Sequence, residues 1–363
     1  MDPNELIYYA YNILLGRDPD PEGLDFWTKQ LQNKSKDAFL SAIVQSEEFS
    51  NHHPSWLKLQ NEISPHHIYS GYNDSDIEMM HKYILNSARL HDDHFVDGFG
   101  QRTLLTSVPF ASKFNLNRLT MPVPDDGFHA EALEYIALID SITRSKGSFC
   151  AVEIGAGWGP WISLAGVLAR AQKFSNINLV GVEGLPARFE LMKRQLAFNG
   201  LRPNSQGTDT LLGNIHCKLF EGAAGVKSGH LFFPDVSVMD MGSAASTEDN
   251  QTDYRGLDNK NIKVKSYALS EIMEDLKKID YLHIDIQGSE YDLIAANLTL
   301  LNERVAGLMI ATHSRVIEGK LIELLYGAGW LLHREKPCRV DWGLKIPSLT
   351  GMTVVDGCQY WRK

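Results

Sequence analysis

The chemistry of this chain is carried by a few carboxylates and one histidine grouped around a glycine-rich turn. The turn is Val152-Glu153-Ile154-Gly155-Ala156-Gly157-Trp158-Gly159-Pro160, where a β-rich run meets a helical one. Glycines let the backbone bend sharply and approach a ligand closely, and the helix that follows offers free N–H groups. A nicotinamide-binding fingerprint would carry a further glycine and an apolar residue in place of Glu153. A carboxylate at the strand end suits a cationic amine better than a pyrophosphate. The next apolar run, Val180-Gly181-Val182-Glu183-Gly184, ends on a second carboxylate. In a doubly wound sheet that tip lies beside the glycine turn, where an acid takes both ribose hydroxyls. Glu153 and Glu183 together match a ligand with an amine and a nucleoside but no phosphate, which is S-adenosylmethionine.

Methyl transfer to an alcohol requires its oxygen in line with the sulfonium carbon and requires its proton to leave. Alignment supplies on the order of 7 to 11 kcal/mol of such a barrier, and a base roughly 100- to 10,000-fold in rate. The candidates close two later apolar runs: Asp285 and Glu290 in His283-Ile284-Asp285-Ile286-Gln287-Gly288-Ser289-Glu290, and His313 in Ile310-Ala311-Thr312-His313-Ser314-Arg315. Open α/β sheets bind ligands at these ends, and histidine ordinarily titrates near neutrality. His313, as base or substrate ligand, and Asp285, as base and also as a cofactor-binding residue, are therefore the candidates. The plainer alternatives are a loop histidine bonded to backbone and a cap on the next helix. Asp285 with His313 or Glu290 has the residue types for a divalent metal, but an Asp-Asp-Asn pattern is lacking and no metal is expected. Nucleobase methylation would call for a proline-containing turn after Asp285, where Ile286-Gln287-Gly288 stands, or a Pro-Cys pair, and Pro337-Cys338 comes two elements later.

The elements that must position these residues begin with a helix at 129–145. Strands follow at 148–154, 178–183, 214–220, 280–286 and 306–312, alternating with helices at 160–173, 186–199, 267–277, 289–300 and 317–328. That rhythm predicts an α/β fold, a mostly parallel doubly wound sheet. Residues 226–262 are polar and turn-rich, an excursion or lid, and final strands at 329–335 and 352–361 would form an antiparallel edge.

With these motifs in place, residues 129–335 resemble the FkbM family of class I methyltransferases, with its Rossmann-like sheet. The resemblance rests on Glu153-Ile154-Gly155-Ala156-Gly157-Trp158-Gly159, on Glu183, on Glu221-Gly222-Ala223-Ala224-Gly225 and on the segment 283–290. It implies that Gly155, Ala156 and Gly157 line the methionine moiety, Glu183 the ribose and the Ala223 and Ala224 backbone the adenine edge. Trp158 and Trp161 border this loop as candidate covers. Gln287 and His283 stand where the family usually has Glu and Lys, so the charge at that strand departs from the pattern. The family also implies the acceptor class, a hydroxyl of a sugar, glycan precursor or related natural product. The rivals are a catalytically degenerate glycan-binding or scaffolding protein and an NAD(P)-dependent oxidoreductase.

Residues 1–56 read as a separate all-α module. Its Leu14-to-Trp27 segment and Ser46-Glu47-Glu48-Phe49 resemble a small N-terminal domain of unknown function that recurs in bacterial surface-associated and glycan-related proteins. Asp18, Asp20 and Glu22 imitate a calcium loop, but Lys29 fills the position of its bidentate Glu, so a turn between helices is expected. Residues 57–128 form a polar connecting stretch, with a helix near 75–90 and, at His91-Asp92-Asp93-His94, a solvated helix end. The methyltransferase domain is assigned to 129–363. The chain of 363 residues carries a net charge of −10, which repels phosphate backbones and argues against a nucleic acid partner. No run of ~18 apolar residues could span a bilayer, and Asp2 and Glu5 stand where a secretory leader would be basic, so a cytoplasmic protein is expected. Cys150, Cys217, Cys338 and Cys358 are expected as buried free thiols.

Overall fold

The structure is a computed structural model that describes residues 2–32, 35–44, 46–52, 71–85, 89–108, 132–204, 207–237, 240, 242–250, 252–258, 260–341 and 348–363. The chain divides into two compact units, residues 1–68 and 69–363. In the first, helices Pro3–Ala10, Pro21–Gln30, Lys36–Val44 and Glu47–His52 bury Ile7, Leu15, Phe39 and Phe49 together. Asp20 caps the second helix through the Gly23 N–H (2.7 Å), and Arg17 reaches Glu48 Oε2 (2.9 Å). The acidic turn thus connects two helices, and its charges serve a cap and an ion pair.

The second unit is built on an eight-stranded sheet. Its strands are β1 (Ser148–Ile154), β2 (Asn176–Glu183), β3 (Asp209–Leu212), β4 (Ile215–Glu221), β8 (Tyr281–Ile284), β9 (Gly307–Thr312), β10 (Leu331–Lys336) and β11 (Gly357–Arg362). A second, three-stranded sheet holds β5 (Ala223–Gly225), β6 (Gly229–Pro234) and β7 (Asn261–Ala268). The large sheet runs β10-β11-β9-β8-β1-β2-β4-β3. Strands β9, β8, β1, β2 and β4 are parallel, and the order reverses at β1, which opens a crevice beyond its carboxyl end.

Helices α1 (Ala132–Arg144), α2 (Pro160–Ala171) and α3 (Pro186–Phe198) accompany one buried cluster. Helices α4 (Glu290–Ala296), α5 (Leu298–Arg304) and α6 (Arg315–Gly327) accompany the other. Strand alternation splits β1 between them: Phe149 and Ala151 enter the first cluster, Cys150, Val152 and Ile154 the second. Both faces are covered, which explains the nearly continuous apolar run. Within the 57–128 stretch, the described residues hold a helix Asp74–His81 and three short strands, 89–90, 94–96 and 102–104, and Arg334 clamps Asp76 with bonds of 2.7 and 2.8 Å. The four cysteines are free and buried.

Several expected elements are corrected. The helix at 267–277 is a single turn, Leu269–Ile272, because β7 continues through Ala268 to pair in parallel with β5. The helix at 289–300 breaks at Asn297, whose side chain turns back to the Leu293 carbonyl (2.8 Å). The two final strands do form the expected antiparallel edge, β10 outermost and β11 between it and β9, antiparallel to both. The His91-to-His94 segment is a hairpin turn, with the two rings stacked 4.3 Å apart, because Arg89–Leu90 pairs with His94–Val96. The expected strand 352–361 divides into Thr353–Val355 and Gly357–Arg362, and the expected helix start at 129 falls on residues 129–131, which lie outside the described residues.

Candidate active site

Three strand ends are knitted together at the reversal point. Gly155 and Ala156 both donate their N–H groups to the Val182 carbonyl (3.0 and 2.9 Å), and the Asp285 N–H bonds the Ile154 carbonyl (2.9 Å). Gly155 has φ +78°, and a Cβ there would sit 1.7 Å from the Asp285 carbonyl oxygen. Only glycine allows β8 to pass so close. Glu183 ends β2 buried; its two carboxylate oxygens accept the N–H groups of Gly157 (2.8 Å) and Leu185 (2.7 Å). Burial raises its pKa, opposed by the Arg188 charge and these amides.

Beside these groups lies a cavity of about 620 Å³, of a size suited to a nucleoside cofactor. Its wall includes Gly155, Gly157, Glu183, Ala223, Ala224 and Asp285. The residues fit S-adenosylmethionine. The glycine turn gives open backbone, Glu183 keeps acceptor capacity on both oxygens for a ribose, and the short side chains of Ala223 and Ala224 leave room for a flat base. The excursion after β6 also contributes to the wall, through Ser243 and Ala245. It is held by Arg255, which pairs with both carboxylate oxygens of Asp240 (2.7 and 2.8 Å).

Glu153 is placed elsewhere. Its side chain falls on the odd face of β1, beneath α2, and accepts the N–H of Ile162 (2.8 Å) and, at longer range, of Trp161 (3.4 Å). Helix α2 starts at Gly159, which has no side chain to cap it, so a strand residue does the capping. Burial pushes the Glu153 pKa up to about 8, with the His283 charge and the two amides opposing. An amine-binding role for Glu153 does not agree with this position, since it is not among the residues that line the cavity. Ala156 and Trp158 are likewise buried in the core rather than on the cavity wall, and Trp161 packs edge-on against Tyr135 (4.8 Å). His283 bonds Glu134 at 2.8 Å, on the same side as Glu153.

At the other end of the cavity, Asp285 ends β8 and His313 follows β9. The imidazole donates through Nδ1 to Glu290 (2.8 Å), while Nε2 faces Asp285 Oδ1 at 3.4 Å and Asp356 Oδ2 at 3.8 Å. Glu290 also accepts the Gly288 N–H (2.9 Å). Burial lowers the His313 pKa, but the Glu290 charge and hydrogen bond, with Asp285 and Asp356 behind them, outweigh it and hold it at about 10. Burial pushes Asp285 up to about 6, with His313 and His283 pulling the other way. The histidine is therefore a cation at neutral pH in these surroundings, and of the two candidates Asp285 is the one that lines the cavity. Gln287, at φ +58°, donates its side-chain N–H to Asp285 Oδ1 (3.2 Å), and the Tyr254 hydroxyl from the excursion donates to Gln287 Oε1 (3.2 Å).

Asp356, Arg188 and Tyr254 were not singled out from the sequence. The register between β9 and β11 pairs Thr312 with Gly357, which sets residues 313 and 356 side by side; that pairing is the signal by which Asp356 could be found.

A family model described as the methyltransferase FkbM domain matches residues 153–318. A protein of Jannaschia sp. (strain CCS1) named as a methyltransferase is 32% identical over 222 residues, covering 60% of this chain and 74% of that one. The chain belongs to the FkbM methyltransferase family. The FkbM domain is accordingly an S-adenosylmethionine-dependent methyltransferase of class I fold. Residues 2–53 match a second family model, a domain of unknown function (DUF4214). Similar solved structures include the precorrin-6y C5,15-methyltransferase of Geobacter metallireducens GS-15, 12% identical with a TM-score of 0.35 over 64% of this chain and 88% of that one. Another is TrmK of M. capricolum in complex with S-adenosyl-homocysteine, 12% identical with a TM-score of 0.29 over 62% and 67%. Among the described residues, no helix is long and apolar enough to cross a membrane.

Proposed function

We propose that this FkbM domain methylates a hydroxyl of a sugar, glycan precursor or related natural product. The observation that carries this reading is Asp285: a carboxylate on the wall of the cofactor cavity, backed by the buried His313–Glu290 pair. S-adenosylmethionine supplies an electrophilic methyl carbon, whose bond to sulfur breaks as its bond to the acceptor oxygen forms. Asp285 takes the proton the hydroxyl loses. His313, fixed by Glu290, holds the Asp285 carboxylate toward the cavity. The net charge of −10 and the absence of proline in Asp285-Ile286-Gln287-Gly288 favour such an acceptor over a nucleic acid. The DUF4214 module at 2–53 and the compact unit that carries the FkbM domain, from residue 69 onward, are read as separate working parts of a cytoplasmic protein.

The test is release of S-adenosylhomocysteine from purified protein across a panel of sugars, nucleotide sugars and lipid-linked glycans. Asp285→Asn should keep cofactor binding and lose roughly 100-fold or more in kcat on the acceptor that works. Turnover on RNA alone, or an Asn variant with wild-type kcat, would overturn the reading.

A further inference from the structure

The side chains beyond Asp285 form a constellation that proton transfer alone does not need. Among the described residues, Asp285, Glu290 and His313 are the one group of three His, Cys, Asp or Glu whose ligand atoms all lie within 4.8 Å of one another. Within it the His313 ring is 3% exposed, and its Nε2 is buried without a hydrogen bond. That nitrogen faces Asp285 Oδ1 at 3.4 Å and Asp356 Oδ2 at 3.8 Å. The opposite nitrogen is taken by Glu290, whose own carboxylate is fixed by the amides of Gly288 and, at 3.3 Å, Ile286.

A histidine fixed by a carboxylate through one nitrogen and presenting the other to oxygen ligands is the arrangement that metal-binding imidazoles adopt. Three carboxylates surround one imidazole; a cation at Nε2 displaces the proton there, and the neutral ring then leaves three negative charges facing the dication. The site also has an approach on each side. Asp356 is 57% exposed to solvent, and Asp285 stands on the cofactor cavity.

We infer that His313 Nε2, Asp285 and Asp356 bind one divalent cation, with Glu290 orienting the histidine. One nitrogen and two carboxylates suit a borderline or hard ion such as Mn²⁺ or Zn²⁺. The inference rests on the hydroxyl-methylation reading only for its use: there the cation would acidify the acceptor hydroxyl. The expected absence of a metal came from the missing Asp-Asp-Asn pattern, and this donor set is assembled from three separate strand ends instead.

The experiment uses the full chain stripped with EDTA, titrated with Mn²⁺ by calorimetry and by the loss of free-ion EPR signal, with no acceptor present. One Mn²⁺ should bind per chain. Asp356→Asn should weaken binding at least tenfold and leave S-adenosylhomocysteine affinity unchanged, because Asp356 is off the cavity wall; His313→Gln should weaken it further. Wild-type Mn²⁺ affinity in both variants, or no binding of Mn²⁺ or Zn²⁺ to wild type, overturns the inference. Hydroxyl methylation that persists at full rate in EDTA, with no Mn²⁺ bound, removes the metal and leaves the proposed function standing. Mn²⁺ binding with no hydroxyl acceptor found supports the metal site and counts against the proposed function.

Discussion

Replacing Glu183 by Gln isolates the contribution of its charge to cofactor binding. The carboxylate accepts two backbone N–H groups, one on each oxygen, and faces the cavity with its remaining lone pairs. Hydrogen bonds to a charged group contribute about 1.5–3 kcal/mol each. A glutamine keeps one acceptor oxygen and turns a donor toward the other partner. One ribose hydroxyl loses its acceptor and the other loses the assistance of the charge, so binding should weaken by about 2–4 kcal/mol, or roughly 30- to 700-fold in Kd. The same change sets the glutamine NH₂ against either the Gly157 or the Leu185 amide, which costs about 1–3 kcal/mol of stability. Calorimetric titration with S-adenosylhomocysteine reads the first effect and urea unfolding the second. A cooperatively folded Glu183→Gln variant with Kd within threefold of wild type would refute the assignment of Glu183 to the ribose.

Gly155→Ala places a Cβ 1.7 Å from the Asp285 carbonyl in a backbone at φ +78°. Strain of this kind costs about 1–3 kcal/mol before any displacement of β8, so a lowered urea midpoint and a loss of S-adenosylhomocysteine binding are expected together; an alanine variant unchanged in both contradicts the close approach. Glu153 carries a pH dependence. Burial keeps its proton on in the folded state up to about 8, whereas the unfolded chain releases it near the ordinary 4.5. Its contribution is therefore fully present below that value and is lost as pH rises through 8, by several kcal/mol at about 1.4 per unit. Urea midpoints from pH 5 to 8.5 should fall more steeply for wild type than for Glu153→Gln, and parallel curves would contradict the buried carboxylate.

The elements most legible in the sequence are those buried on both faces. Strand β1 matches its expected range, Ser148–Ile154, because a run that is apolar at every position but Ser148 and Glu153 belongs in the middle of a sheet covered on both faces. Where pairing partners decide, local pattern misleads. The residues after Val264 have helix-forming composition, yet Ser266, Tyr267 and Ala268 are held extended by Ala223, Ala224 and Gly225. Among the site residues, Glu183 and Asp285 line the cavity because strand ends point into the crevice. Glu153 was misread for a geometrical reason. It lies one residue before the strand end, and the period of two turns its carboxylate to the opposite face, onto the start of α2. Asp356 depends on an antiparallel register between segments more than forty residues apart, which no local pattern records.

The interior position of β11 has a consequence for how the domain is assembled. It is the last strand in chain order among the described residues, yet it separates β9 from β10, and its Tyr360 hydroxyl bonds Asp140 on α1, 220 positions earlier. A chain made from its amino terminus produces β1, the glycine turn, β2 and Glu183 long before it produces this strand. Until 357–362 inserts, β9 has an open edge and Asp356 has no place beside His313. The β1–β2 side of the site rests on contacts near in sequence, whereas the acceptor side needs both the long closure of β8 on β1, Tyr281 against Ala151, and the insertion of β11. The two sides of one active site thereby depend on chain closures of different length.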